Sequence, residues 1–128
     1  MIQLFDGAIE QLTRGLAFAS RRHALVTENV ANLATPGYRA KDLAFEDQLK
    51  PGVVGATDDG PALPPLGRFE RRPRVVLAQD GAPRGDGNDV NLDRQMARLS
   101  QNALYHNTLV QVLVGQFNSM KQAISGRV

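Results

Sequence analysis

The sequence predicts an all-α core, an elongated antiparallel hairpin of two long terminal helices, coiled-coil-like, with an irregular Gly/Pro-rich middle that has room for short β-strands. Three observations lead there. Apolar residues recur four and three apart at both ends of the chain; residues 51–88 hold six of the seven prolines and seven of the twelve glycines; and 34–90 carries seventeen of the twenty-eight charges. Sustained four-three spacing is the mark of a helix with a packing seam, whereas dense Pro and Gly forbid long helix.

The N-terminal helix is expected over 1–34, with a seam of Phe5, Ile9, Leu12, Leu16, Ala19, His23, Val26, Val30 and Leu33. At 1.5 Å per residue this seam spans roughly 42 Å. Leu4, Ala8, Phe18 and Leu25 lie beside it and widen the apolar stripe. The helix must stop near Ala34: proline disfavours helical backbone at Thr35, and Pro36-Gly37 suits the two central positions of a type II turn. Residues 35–50 are this turn and the segment after it.

Residues 51–90 are read as loop, with an edge strand within Arg68–Leu77 and a weaker candidate at Val53–Ala56; 80–88 is expected to be mobile. The C-terminal helix is expected over 91–126, with Asn91 as its N-cap and Asp93 in the first turn, where a carboxylate opposes the positive helix end. Its seam runs Leu92, Met96, Leu99, Ala103, His106, Val110, Leu113, Phe117, Met120 and Ile124, roughly 48 Å. Tyr105, Leu109 and Val112 widen it.

The rest of that helix is polar but nearly uncharged. Gln95, Gln101, Asn102, Asn107, Gln111, Gln116 and Gln122 stand where a monomeric helix normally shows Lys and Glu. Two helices cannot bury both widened stripes, so several copies or close relatives are expected to pack side by side, with amides pairing across interfaces where unpaired charge is costly. Gly7, Gly15 and Gly115 interrupt the helices, each costing about 1 kcal/mol relative to alanine, and close approach of neighbouring helices is the expected reason.

Composition limits function. The formal net charge is only +2, there is no cysteine, and no apolar stretch approaches the ~18 residues of a spanning helix. The opening Met-Ile-Gln-Leu-Phe-Asp-Gly lacks the basic region of a cleaved secretory signal. No catalytic, cofactor or metal site is expected. His23 and His106 fall on seam positions without Cys, Asp or Glu beside them and are read as packed imidazoles, with a pH-sensitive assembly step as the lesser alternative. Asp86–Asp93 fails the register of a calcium loop: Asn91 stands where glycine is needed and Ala97 where a bidentate Glu belongs. Asp58-Asp59 lacks a general-acid partner, and Arg68, Arg71, Arg72 and Arg74 lack a nucleic-acid reading motif, so both clusters are read as solvated or subunit-facing.

Ala31-Asn32-Leu33-Ala34-Thr35-Pro36-Gly37-Tyr38, followed by Arg39–Phe45, resembles the N-terminal signature of the axial proteins of the bacterial flagellum, those of the rod, the hook and their junctions. Asn88–Met96, Leu99–Leu113 and Gly115–Ile124, with a short middle, resemble the proximal rod branch of that family. Asn91 and His106 stand where that branch suggests Asp and Tyr. The resemblance implies a structural subunit of the proximal rod that polymerises through its terminal helices. It also implies location in the basal body across the periplasm and export through the flagellar type III apparatus without a cleaved signal. The implied partners are copies of itself, other proximal rod subunits, and membrane-ring and adaptor proteins of the basal body. The competing reading is a cytoplasmic coiled-coil adaptor or secretion-associated binding module using the same seams.

Overall fold

A computed structural model describes residues 2–44, 49–50, 68–69 and 73–126. Helix α1 runs Ile2–Ala31 and helix α2 Leu92–Ser125. They pack antiparallel: the Asn102 side-chain amide donates to the Ala19 carbonyl at 2.8 Å, while Asn29, farther along α1, donates to Gln95, earlier on α2, at 3.1 Å. Asn91 caps α2, its side chain accepting from the Arg94 amide at 3.1 Å, and Gly126 ends the helix in a left-handed conformation at φ 60.

Between the helices lie four short strands, β1 Lys41–Leu43, β2 Leu49–Lys50, β3 Arg68–Phe69 and β4 Val75–Leu77. β1 pairs antiparallel with β4, Lys41 opposite Leu77 and Leu43 opposite Val75, and β2 pairs antiparallel with β3. The expected Arg68–Leu77 edge strand is two separate short strands, and β1 and β2 fall where sequence suggested none. The Val53–Ala56 candidate lies outside the described residues, as do Arg71, Arg72 and the Asp58-Asp59 pair.

One apolar cluster forms where β1 crosses the hairpin: Phe18 and Leu43 are buried together, with Leu25 and Tyr105 packed against them. The residues that widen the helical stripes are thus partly consumed inside the chain. Burying a side chain such as Phe18 or Leu43 stabilises by about 1.5–3 kcal/mol, and here it fixes the β1 ribbon on the helices. A second cluster of Ala40, Ala78 and Val90, lined by Leu33 and Tyr38, closes the other side.

The packing seam differs from the predicted one by a single residue in half of its positions. Leu12, Ala19 and Val26 are buried, and Leu33 is half-buried; the alternate row is Gly15, Arg22 and Asn29 instead of Leu16, His23 and Val30. On α2 the buried row is Gln95, Asn102 and Leu109, while Met96, Ala103 and Val110 are exposed and Leu99, His106, Leu113 and Met120 are half-buried. Gln95 and Asn102, expected on the outer face, are therefore interior. Their amides are satisfied across the helix pair, which removes the usual penalty for burial.

Two further expectations are corrected. His23 is exposed, and from the Asn102–Ala19 contact His23 and His106 each lie one turn away in opposite directions, about 12 Å apart along the axes. They do not form a site together, and the described residues contain no cluster of three or more metal-ligating side chains. A Cβ at Gly7 or Gly115 would meet nothing within 4 Å, so close approach inside the hairpin does not account for either glycine. Gly15, in contrast, sits in the buried row.

Candidate functional site

The turn that follows α1 is built as its residues dictate. The Tyr38 amide donates to the Thr35 carbonyl at 3.3 Å and Gly37 has φ 71, the left-handed value that a type II turn requires at its third position. The Asn32 side chain folds back to the Glu28 carbonyl at 2.8 Å and accepts from Thr35 Oγ1 at 3.1 Å, closing the last turn of the helix.

Against this turn lies a second one, from Arg84 to Asn88. The Gly87 amide donates to the Arg84 carbonyl and the Arg84 amide to the Asn88 carbonyl, each at 2.8 Å. Gly87 also has positive φ, 81, and a Cβ there would lie 3.5 Å from the Gly37 Cα. The Gly37 amide donates to the Asp86 carbonyl at 2.8 Å. The two glycine turns thus interlock backbone to backbone, and the segment expected to be mobile is tied to the end of α1.

Asn88, fully buried, carries most of that tie. Its Nδ2 faces the carbonyls of Asn32, Leu33 and Thr35 at 3.0, 3.3 and 2.7 Å, and its Oδ1 accepts from the Val90 amide at 2.9 Å. Carbonyls at a helix C-terminus have no partner within the helix; Asn88 supplies one from fifty-odd residues away, and the Arg84 guanidinium donates to the Leu33 carbonyl as well.

Asp89 joins the turn to β1, accepting from the Ala40 amide at 2.7 Å and from Arg39 Nε at 2.8 Å. Burial alone raises the Asp89 carboxyl, but the Ala40 amide and the Arg39 guanidinium outweigh it and hold the group below its ordinary value of 3.8. A depressed folded-state pKa stabilises the fold above the unfolded value, and that stabilisation is lost as pH falls through the folded value. Acid titration of the wild-type chain is therefore expected to show a stability loss starting just below pH 4 that is shallower in Asp89→Asn; superimposable acid transitions of the two would contradict the assignment.

Deeper in, a polar network joins all four elements. Asn29 donates to the Lys41 carbonyl at 2.7 Å and its Oδ1 accepts from the Lys41 amide at 2.9 Å, so one amide replaces a strand partner for β1. Gln95 Nε2 donates to Asp80 at 2.7 Å, and the Asn91 amide donates to the same oxygen at 2.9 Å. The other Asp80 oxygen lies 3.0 Å from an Arg98 nitrogen, an ion-pair contact out of line for a hydrogen bond. Arg98 also approaches Asp42 at 3.9 Å, whose two oxygens take a bidentate pair of 2.8 Å bonds from Arg22. Nothing here is arranged for chemistry: each buried polar atom is spent on holding a strand, a cap or a helix.

The function-bearing surface is therefore the outside. Among the described residues α2 exposes Leu92, Met96, Leu104, Val110, Val114, Phe117 and Ile124, with Phe117 53% and Ile124 84% accessible. No described helix is long and apolar enough to cross a membrane. The remaining seam residues divide between inside and outside: Ile9, Leu16 and Val30 are half-buried, and Phe5 lies among residues whose side chains are not described.

Comparison with known proteins gives the context. No family model matches the chain. It is 29% identical to the flagellar basal body rod protein FlgB of Bacillus subtilis over 98% of both chains. It is 28% identical to FlgB of Aquifex aeolicus, again over 98% of both. The chain is a relative of the FlgB rod proteins. FlgB of Salmonella typhimurium is 26% identical over 98% of this chain and 99% of its own. The likeness to FlgB spans the middle of the chain as well as the two termini on which the flagellar resemblance was first seen. The Thr35–Tyr38 turn and the Asn88–Asn91 stretch, which carried much of that resemblance, are the two halves of the interlocked junction.

What sequence reading missed is the interior of this junction. Asn29, Asp42, Asp80, Gln95 and Arg98 were unremarked as a group because no local motif links them; they meet only once the helices are antiparallel. The signal available was the recurrence of Asn29, Gln95 and Asn102 one position from the apolar seam, at its own spacing.

Proposed function

We propose that this chain is a structural subunit of the proximal rod of the bacterial flagellar basal body, polymerising through α1 and α2 into the tube that links the membrane ring to the distal rod and hook. The observation that carries the proposal is full-length similarity to FlgB rod proteins in a chain whose α2 leaves a long apolar row uncovered. An uncovered row of this length on a slender hairpin is a cost to a lone subunit and an asset to a polymer. The polar junction serves the polymer by fixing the angle and level of the two helices before assembly. The subunit is placed in the rod across the periplasm and reaches it through the flagellar type III export apparatus. Its neighbours are copies of itself, other proximal rod subunits, and ring and adaptor proteins. It acts as a building block and not as an enzyme.

The test is imaging of basal bodies isolated from wild-type and deletion strains. Density in the tube wall beside the membrane ring, lost on deletion and restored by the gene in trans, is expected. Intact rods in the deletion strain, with the protein found soluble beside a cytoplasmic partner, would replace this reading with that of an adaptor.

A further inference from the structure

The uncovered row of α2 is regular: Met96, Ala103, Val110, Phe117 and Ile124, every seventh residue, are all exposed, with Val114 between them. From Met96 to Ile124 it extends about 42 Å, the footprint of another helix. Helix α1 carries an outward row of the opposite kind. Thr13, Ala17, Ser20, Ala24, Thr27 and Ala31, alternately four and three apart, are all exposed and all small. Small side chains leave a shallow channel in which the large side chains of a partner helix reach close to the backbone.

We infer that the apolar row of α2 seats on the small-residue face of α1 in a second copy of this chain, and not on a second α2. Charge decides between the two. From Gln95 to Ser125, α2 contains Arg98 and Lys121 and no acidic residue, so an α2-on-α2 contact gathers cations with nothing to neutralise them. The exposed face of α1 presents Glu10 and Glu28 beside its small row. Two copies standing side by side in the same orientation bring α2 of one antiparallel to α1 of the next, repeating the geometry inside each hairpin. With no axial offset, the levels set by the Asn102–Ala19 bond place Met96 opposite Thr27, Ala103 opposite Ser20 and Val110 opposite Thr13, large or apolar against small. The joining surfaces are different, so each copy that gains one neighbour still offers both a donor and an acceptor face, and the contact propagates into an open polymer where an α2-on-α2 contact would close a dimer. The inference rests on the rod-subunit reading and names its lateral contact.

The chain has no cysteine, so single introduced thiols report without background. Met96→Cys is mixed separately with Thr27→Cys, Ala24→Cys and Ser20→Cys, three positions that allow for an axial offset of up to two turns. Each mixture is oxidised both as concentrated purified protein and in isolated basal bodies. At least one mixture is expected to give disulfide-linked dimer at ten times or more the yield of either variant alone. Met96→Cys linking to itself, or no mixture exceeding its single-variant controls, would overturn the inference. Linked dimers from the purified chain with the protein absent from basal bodies would instead remove the rod reading and leave the contact standing. Incorporation into basal bodies without α1–α2 links would do the reverse.

Discussion

Asn88→Ala is expected to lower the unfolding free energy of the isolated chain by about 2–4 kcal/mol, read from urea transitions followed by helical circular dichroism. The magnitude follows from what one amide does. Its NH2 group faces three carbonyls at the end of α1 and its oxygen holds the Val90 amide, all at a position with no solvent access. Removal leaves those groups without their partner in a space too enclosed for easy hydration, and a net hydrogen bond of this kind is worth about 0.5–1.5 kcal/mol before the penalty for an unmade one. Asn88→Asp is expected to cost more than Asn88→Ala, because it points a carboxylate at three carbonyl oxygens. A loss below 0.5 kcal/mol in both variants would show that Arg84, which also reaches the Leu33 carbonyl, suffices to cap α1.

The same residue shows what a sequence reading reaches and what it does not. Thr35-Pro36-Gly37-Tyr38 was legible as a type II turn because proline and glycine act on their own backbone, with no reference to the rest of the fold. Asn91 was legible as a cap for the same reason. Asn88 was not, since its partners lie 53 to 56 positions away. The helix pair was legible as a pair, and Leu12, Ala19 and Val26 as its interior, because apolar spacing is a direct image of burial. The alternate row escaped for a physical reason. An apolar rule assigns Val30 and Met96 to the interior over Asn29 and Gln95, yet two amides that bond each other across the seam carry no burial penalty, and the apolar side chains displaced by them are left for a neighbour. β1 was illegible because three residues acquire strand geometry only from β4 on one side and the Asn29 amide on the other.

Asp80→Ala is expected to be the most damaging single change in the described part of the chain, by about 3–5 kcal/mol, the range for breaking a buried ion pair from one side. Asp80 has no solvent access and holds three groups at once: the Asn91 amide that precedes α2, the Gln95 side chain that reaches across to Asn29, and Arg98 at 3.0 Å. Without it Arg98 has only Asp42, 3.9 Å away and already taken by both bonds from Arg22, so two guanidinium groups compete for one carboxylate. The charge and not the hydrogen bonds is therefore the larger part of the cost, and this separates experimentally. Asp80→Leu combined with Arg98→Met removes both charges and keeps the volume filled, and it is expected to be more stable than Asp80→Leu alone. Strict additivity of the two substitutions would show that Arg98 is neutralised by solvent, as its 23% side-chain exposure permits. The damage should also be directional: loosening Asp80 frees the start of α2 and the Asn29–Gln95 bridge while leaving the Asn102–Ala19 contact in place. Hydrogen exchange in Asp80→Ala is accordingly expected to rise first in 80–98 and around Asn29, with protection retained near Ala19 and Leu109.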